Sequence, residues 1–126
     1  MPSLIRFKRW LSRDIGQINE DIARQYLIKQ GLRFIVANYH CRYGELDLIM
    51  ADHTVLVFVE VKFRRNHSHG GAAAAVNHSK QRKLIKTAQW YMQQQGLSNN
   101  VTRFDVIAIE GDDSQIRWIK NAFHAD

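Results

Sequence analysis

The 126-residue sequence contains a single cysteine, Cys41, so no internal disulfide and no thiolate zinc cluster can form and a reducing compartment is the default. There is also only one proline, Pro2, and there is neither an internal repeat nor a low-complexity tract to suggest a linker or a solenoid. The longest apolar run, Val55 to Val59, is far too short to cross a bilayer. The basic start of the chain, Met1 to Trp10, lacks the continuous apolar stretch of a secretory signal. These absences read as a cytoplasmic protein without a membrane partner. Negative charge is missing as well: no Asp or Glu occurs between Val61 and Phe104. Lys62, Arg64, Arg65, Lys80, Arg82, Lys83, Lys86 and Arg103 all fall in that stretch. Together with a net charge of +6, this one-signed run makes a field that favours a polyanion, nucleic acid above all. The plainer alternative is a solvated basic face.

Hydrophobic residues make up 45% of the chain and charged residues 24%, enough to bury one core at this length. The reading is one domain over residues 1–126, with residues 1–12 a loosely ordered basic segment. Ile15, Ile18, Ile22, Ala23, Tyr26 and Leu27 recur at helical spacing and predict a helix from about Asp14 to Gln30, ended by Gly31. Three extended runs follow, Leu32 to Tyr39, Gly44 to Ala51 and Val55 to Phe63, joined by short turns. His67 to Asn77 reads as a loop. Ser79 to Gln95 predicts a second helix, with Ser79 as its cap and Leu84, Ile85, Ala88, Tyr91 and Met92 on its buried face. Thr102 to Glu110 and Gln115 to Ile119 complete the strands. The order α-β-β-β-α-β-β predicts an α/β protein with one mixed sheet flanked by helices.

The run Val55 to Phe63 is apolar on both faces until Glu60 and Lys62, which marks a central strand emerging from the core at a charged rim. The preceding run mirrors it, with Glu45 and Asp47 at the charged end and Ile49 and Ala51 at the apolar end. A hairpin turning near His53-Thr54 would pair Ala51 with Leu56, Ile49 with Phe58, Asp47 with Glu60 and Glu45 with Lys62. A slip of one residue would put the matched sets on opposite faces. Opposed side chains would then lie ~5 Å apart at Cβ. Two acids so close repel each other, and a hard divalent cation such as Mg²⁺ or Mn²⁺, which takes oxygen ligands and keeps several waters, removes the conflict. Asp47 and Glu60 are the metal-ligand candidates. Lys62 is the candidate to orient a water or offset developing charge in phosphodiester hydrolysis, with Glu45 as its ion-pair partner. The alternative is a structural salt-bridge cluster, since a bare E-x-K is common.

The segment Asn38 to Arg65, NYHCRYGELDLIMADHTVLVFVEVKFRR, closely resembles the YraN family of small, largely uncharacterised bacterial proteins. Asn19-Glu20, Ala23 and Leu27, Ala75-Val76 with Lys80-Gln81-Arg82, and Arg103-Phe104-Asp105-Val106 extend the likeness over nearly the whole chain. That family is placed in the PD-(D/E)xK superfamily and is similar to archaeal-type Holliday-junction resolvases. The resemblance implies a restriction-endonuclease-like core. It also implies Asp47 and Glu60 as metal ligands, Lys62 as the catalytic lysine, and Glu20 as a helix glutamate joining the site. Glu20 shares a helical line with Gly16, Ala23 and Leu27, although a solvated glutamate is an equal reading. Resolvases of that branch are dimers, so a homodimer is one arrangement the resemblance allows. This chain departs from the family at Asn19, where glycine is usual, and in Gly71 to Ala75, where the loop often carries proline and glutamate.

Arg64 and Arg65, which continue the site strand, and Lys80, Gln81, Arg82, Lys83 and Lys86, which open the second helix, are the candidate phosphate contacts. Lys80 and Gln81 could equally be solvated. His67, His69 and His78 read as loop histidines, and Trp10, Trp90 and Trp118 as core or anchoring residues rather than base-stacking platforms. Leu4, Phe7, Trp10 and Leu11 could meet a membrane or a partner, with docking on the chain's own domain preferred. The expectation is a Mg²⁺-dependent nuclease acting on DNA, with branched or structured DNA as one candidate substrate. The alternative is a non-catalytic nucleic-acid-binding module on the same fold.

Overall fold

The computed structural model describes residues 4–66 and 75–125, with side chains from Ile15 onward. The first helix, α1, runs Leu4–Lys29, so its backbone begins about ten residues before the expected start and inside the segment read as loosely ordered. Leu4, Phe7, Trp10 and Leu11 have side chains outside the described residues, as do His67, His69 and most of the Gly71 to Ala75 stretch in full. The helix presents Asn19, Ala23 and Leu27 inward, with Ala23 and Leu27 fully buried. Ile15 and Ile18, expected on the buried face, are 39% and 55% exposed. Among the described side chains of this helix, the buried ones are Asn19, Ala23 and Leu27. Gly31 ends the helix at φ 101°, as its position predicts.

Five strands follow: β1 Arg33–Cys41, β2 Gly44–Asp52, β3 Val55–Arg64, β4 Thr102–Glu110 and β5 Gln115–Phe123, with α2, His78–Gln95, between β3 and β4. They form one sheet in the order β1-β2-β3-β4-β5. Neighbours are antiparallel except β3 and β4, which are parallel. Parallel neighbours need a crossover, and α2 supplies it. β3 is central, as its two apolar faces predicted: Leu56, Val57, Phe58 and Val59 are all buried.

Each helix covers one face. Ala23 and Leu27 of α1 pack with Leu48, Met50, Val57, Val59, Ile107 and Ile109. On the other side Leu84, Ala88, Tyr91 and Met92 of α2 pack with Leu46, Ile49, Phe58, Phe104 and Val106. The cap of α2 is Asn77 rather than Ser79: its Oδ1 accepts from the Lys80 backbone N–H at 2.9 Å. β5 runs on to Phe123, whose ring stacks on Phe104 at 4.8 Å. Asp105, fully buried, pins this end of the sheet. It accepts from Arg103 Nε at 3.0 Å, Trp118 Nε1 at 3.0 Å and the Asn121 N–H at 2.9 Å. Among the described residues, no helix is long and apolar enough to cross a membrane.

Two irregularities shape the rim. Asn38 in β1 and Asn121 in β5 hold left-handed backbone, φ 56° and 54°. Asn38 sits between the β1–β2 pairs Ala37–Leu48 and Tyr39–Leu46, directly across from Asp47. At that point β2 breaks alternation. Leu46 packs on the α2 side and Leu48 on the α1 side, although a regular strand would put both on one face.

Candidate active site

The break in β2 decides where Asp47 goes. The hairpin register is the one expected, with Ala51 opposite Leu56 and Ile49 opposite Phe58, but the ladder ends at Leu48–Val59. Beyond it the strands are joined by a side chain: Asp47 Oδ2 accepts from the Val61 backbone N–H at 2.8 Å. Asp47 and Glu60 are therefore not a ladder pair, as the regular alternation implied. They are two carboxylates at the end of a ladder that stops just short of them. Burial, and then the charge of Glu60, raise the Asp47 carboxyl from 3.8 to about 7. Glu20 adds to the rise, and Lys80 opposes it.

Glu60 is buried, and its Oε1 is 2.8 Å from the Lys80 ammonium. Lys80 was expected as a phosphate contact; its position in the first turn of α2 brings it to the acid instead. Burial works against its charge, but the hydrogen bond and charge of Glu60 outweigh this and hold the ammonium above its ordinary value. Lys62, the expected catalytic lysine, turns aside and its Nζ donates to the Ala75 carbonyl. Burial and the nearby Lys80 charge lower its pKa, with Glu60 opposing the change. Gln81 makes a parallel contact, donating from Nε2 to the Val76 carbonyl at 2.7 Å rather than facing outward as a phosphate contact. Lys62 and Gln81 together pin the chain entering α2, and this fixes Lys80 over Glu60.

Glu20 reaches the same region from α1. It is half-buried and shares a hydrogen bond with the Asn38 side chain, and its carboxyl is raised by burial and by the charges of Asp21, Glu45 and Glu60. The left-handed turn at Asn38 thus orients a helix acid toward the strand acids. That residue was missed in the sequence, where the one available signal was an asparagine interrupting a β run. Glu45 is not the partner of Lys62. Its Oε1 lies 3.5 Å from His40 Nδ1, its cross-strand neighbour in β1, and it is exposed. Arg64, Arg65, Arg82, Lys83 and Lys86 are exposed, and among the described residues none forms an ion pair.

The residues fit a hard cation in one specific respect. Among the described residues no cationic group pairs directly with Asp47, a half-buried carboxylate beside a second acid; a backbone N–H and the more distant charge of Lys80, itself bonded to Glu60, are what oppose its burial cost. Two carboxylates alone are a sparse set, and among the described residues no group of three or more His, Cys, Asp or Glu side chains is assembled for a metal. One or two carboxylates with waters and substrate phosphate is nonetheless the usual complement for Mg²⁺.

The model of the uncharacterised protein family UPF0102 matches residues 19–109, which hold Glu20, Asp47, Glu60, Lys62 and Lys80. The chain belongs to this family. UPF0102 proteins of Colwellia psychrerythraea, Vibrio parahaemolyticus and Legionella pneumophila are similar to it along nearly their whole length. The first is 51% identical over 120 residues, covering 92% of this chain and 93% of that protein. The second is 50% identical over 111 residues, covering 87% and 92%. The third is 42% identical over 116 residues, covering 91% and 98%. None of these names states an activity, a ligand or a partner.

Proposed function

We propose that this UPF0102 protein is a metal-dependent nuclease of the PD-(D/E)xK type acting on DNA, including branched or flapped DNA, in the cytoplasm. The observation that carries the reading is Asp47, a half-buried acid without a paired cation among the described residues, next to the buried Glu60 at a basic rim. A Mg²⁺ or Mn²⁺ ion, when bound, would supply Lewis acidity toward a phosphate and a more acidic water. Asp47 and Glu60 would hold it, with Glu20 orienting a water from the helix side. Lys80 positions the Glu60 carboxylate through their 2.8 Å contact and adds positive charge where a phosphate would approach. Lys62 holds the Ala75 segment and so sets the height of α2 above the acids. Arg64, Arg65, Arg82, Lys83 and Lys86 guide the polyanion.

A second reading, a nucleic-acid-binding module without catalysis, is favoured by one observation: Lys80 already neutralises Glu60, and the Lys62 ammonium is engaged by the Ala75 carbonyl. Cleavage of linear, flapped and four-way-junction DNA with Mg²⁺ or Mn²⁺ separates the two. Wild type should cut at least one substrate, and Glu60→Ala and Asp47→Ala should lose cutting while keeping binding. Binding of all the substrates with no cutting of any establishes the second reading.

A further inference from the structure

We propose that the hollow between the β1–β2 turn and the outer face of α2 binds an unpaired nucleotide of a single-stranded nucleic acid. The proposal rests on the nucleic-acid part of the reading above and adds a site to it. Tyr43, Lys86, Gln89, Trp90 and Gln93 line a cavity of about 290 Å³, near the lower size limit of ligand pockets. The Tyr43 and Trp90 rings meet edge to face at 5.7 Å. The Arg42 guanidinium lies over both, 4.9 Å from the Tyr43 ring and 5.5 Å from the Trp90 ring. Both rings are half-buried, whereas Arg42, Lys86, Gln89 and Gln93 are exposed.

These groups match the parts of one nucleotide. A base stacks on the rings once the exposed Arg42 side chain, which lies over them and donates to the Tyr43 hydroxyl at 2.8 Å, swings aside, and the two carboxamides offer a donor and an acceptor to its edge. Lys86 and Arg42 offer charge to the flanking phosphates. No acid lines the hollow, so nothing in it repels a polyanion or selects a cation. A paired base keeps its faces inside the duplex stack and cannot use the rings, which sets the preference for a single strand.

The hollow also lies within reach of the acid site. Tyr43 precedes Asp47 by four residues, about 13 Å at ~3.3 Å per strand residue. Lys86 follows Lys80 by six, about 9 Å at ~1.5 Å per helical residue. At most about four nucleotides would span these lengths at the ~3.4 Å rise of a stacked strand, and an unstacked, more extended single strand needs fewer, passing the exposed Lys83. Trp90, read from the sequence as an anchor, therefore gains a second role.

The test uses the full chain in EDTA, so that no cutting occurs. A short labelled oligothymidylate and a blunt duplex of equal length are titrated by fluorescence anisotropy, and tryptophan quenching by the unlabelled oligomer is followed in parallel. Wild type should prefer the single strand. Trp90→Ala should weaken that binding roughly tenfold, the loss of one stacked base, and Trp90→Phe should lose most of the quenching. Lys86→Glu and Gln89→Ala, both at exposed positions where folding is not at stake, should also weaken binding, and Lys86→Glu should flatten its salt dependence. Equal affinity of wild type for duplex and single strand, no binding by wild type, or unchanged affinity in Trp90→Ala and Lys86→Glu would each overturn the proposal. Unchanged affinity in the variants of a wild type that cuts DNA sinks the hollow and spares the nuclease. The expected losses in a protein that cuts nothing do the reverse.

Discussion

Asp47→Asn should change the pH dependence of stability in a direction opposite to that of most carboxylates. In the folded chain the carboxyl titrates at about 7, against 3.8 when solvated, because burial and Glu60 both disfavour its charge. Between those values the folded state holds a proton that the unfolded chain has released, so the unfolding free energy falls as pH rises. The stabilisation is fully present below pH 3.8 and is lost as pH passes through 7. At about 1.36 kcal/mol per pH unit, the change is on the order of 4 kcal/mol. Glu20, also raised, acts in the same direction. Asp52 acts in the other, since its hydrogen bond from Arg103 lowers its pKa, and its contribution is lost only in acid below the Asp47 window. The asparagine keeps an oxygen for the Val61 N–H and removes the titration. Urea denaturation in EDTA from pH 4 to 8 should therefore show wild type losing stability relative to the variant across that range, the difference levelling off above pH 7. Added Mg²⁺ at pH 8 should restore wild type but not the variant, by about 2.7 kcal/mol at one hundred times its Kd. Parallel profiles for the two proteins would refute the claim that this carboxyl is uncompensated.

Removal of the buried Asp105 in Asp105→Ala leaves Arg103 paired with Asp52 alone and the Asn121 N–H and Trp118 indole N–H without their acceptor, and should cost about 3 kcal/mol by denaturant unfolding. Lys80→Met leaves the buried Glu60 without its counter-charge; because Lys80 is half exposed the loss should be on the order of 1 kcal/mol, and Glu60→Gln in the same chain should recover most of it in a double-mutant cycle. Asn77→Ala should destabilise by about 1 kcal/mol, while Ser79→Ala, one residue inside the first turn, should be near neutral; calorimetry distinguishes them.

Much of this architecture is written in local pattern. A strand apolar on both faces must be central, and β3 is. The charge-to-apolar gradients of β2 and β3 can be matched in only one register, and the pairs from Ala51–Leu56 to Leu48–Val59 obey it. What periodicity cannot report is a change of period. Asn38 adopts left-handed backbone and β2 breaks alternation opposite it, so Asp47 ends up bonded to the Val61 N–H. That Lys80 and not Lys62 pairs with Glu60 was hidden for a related reason. Strand pattern gives the face a side chain leaves from, whereas the lysine that reaches Glu60 is set by how closely the first turn of α2 descends on the sheet. Ile15 and Ile18 satisfy the helical pattern yet stand exposed, because amphipathic spacing says which stripe is apolar and not how far the sheet extends beneath it. The strand after Ile119 was missed because Lys120, Asn121 and Ala122 carry little β signal, and its course depends on Asp105 across the sheet.

The two left-handed asparagines have a consequence for how copies of this chain can meet. Among the described residues β1 and β5 are the outer strands, where the sheet could be extended by another molecule. Asn38 interrupts one and Asn121 the other, so neither outer strand offers an unbroken row of N–H and C=O groups at even spacing. The irregularity that sits across from the acid site thus also blunts an adhesive margin of the sheet.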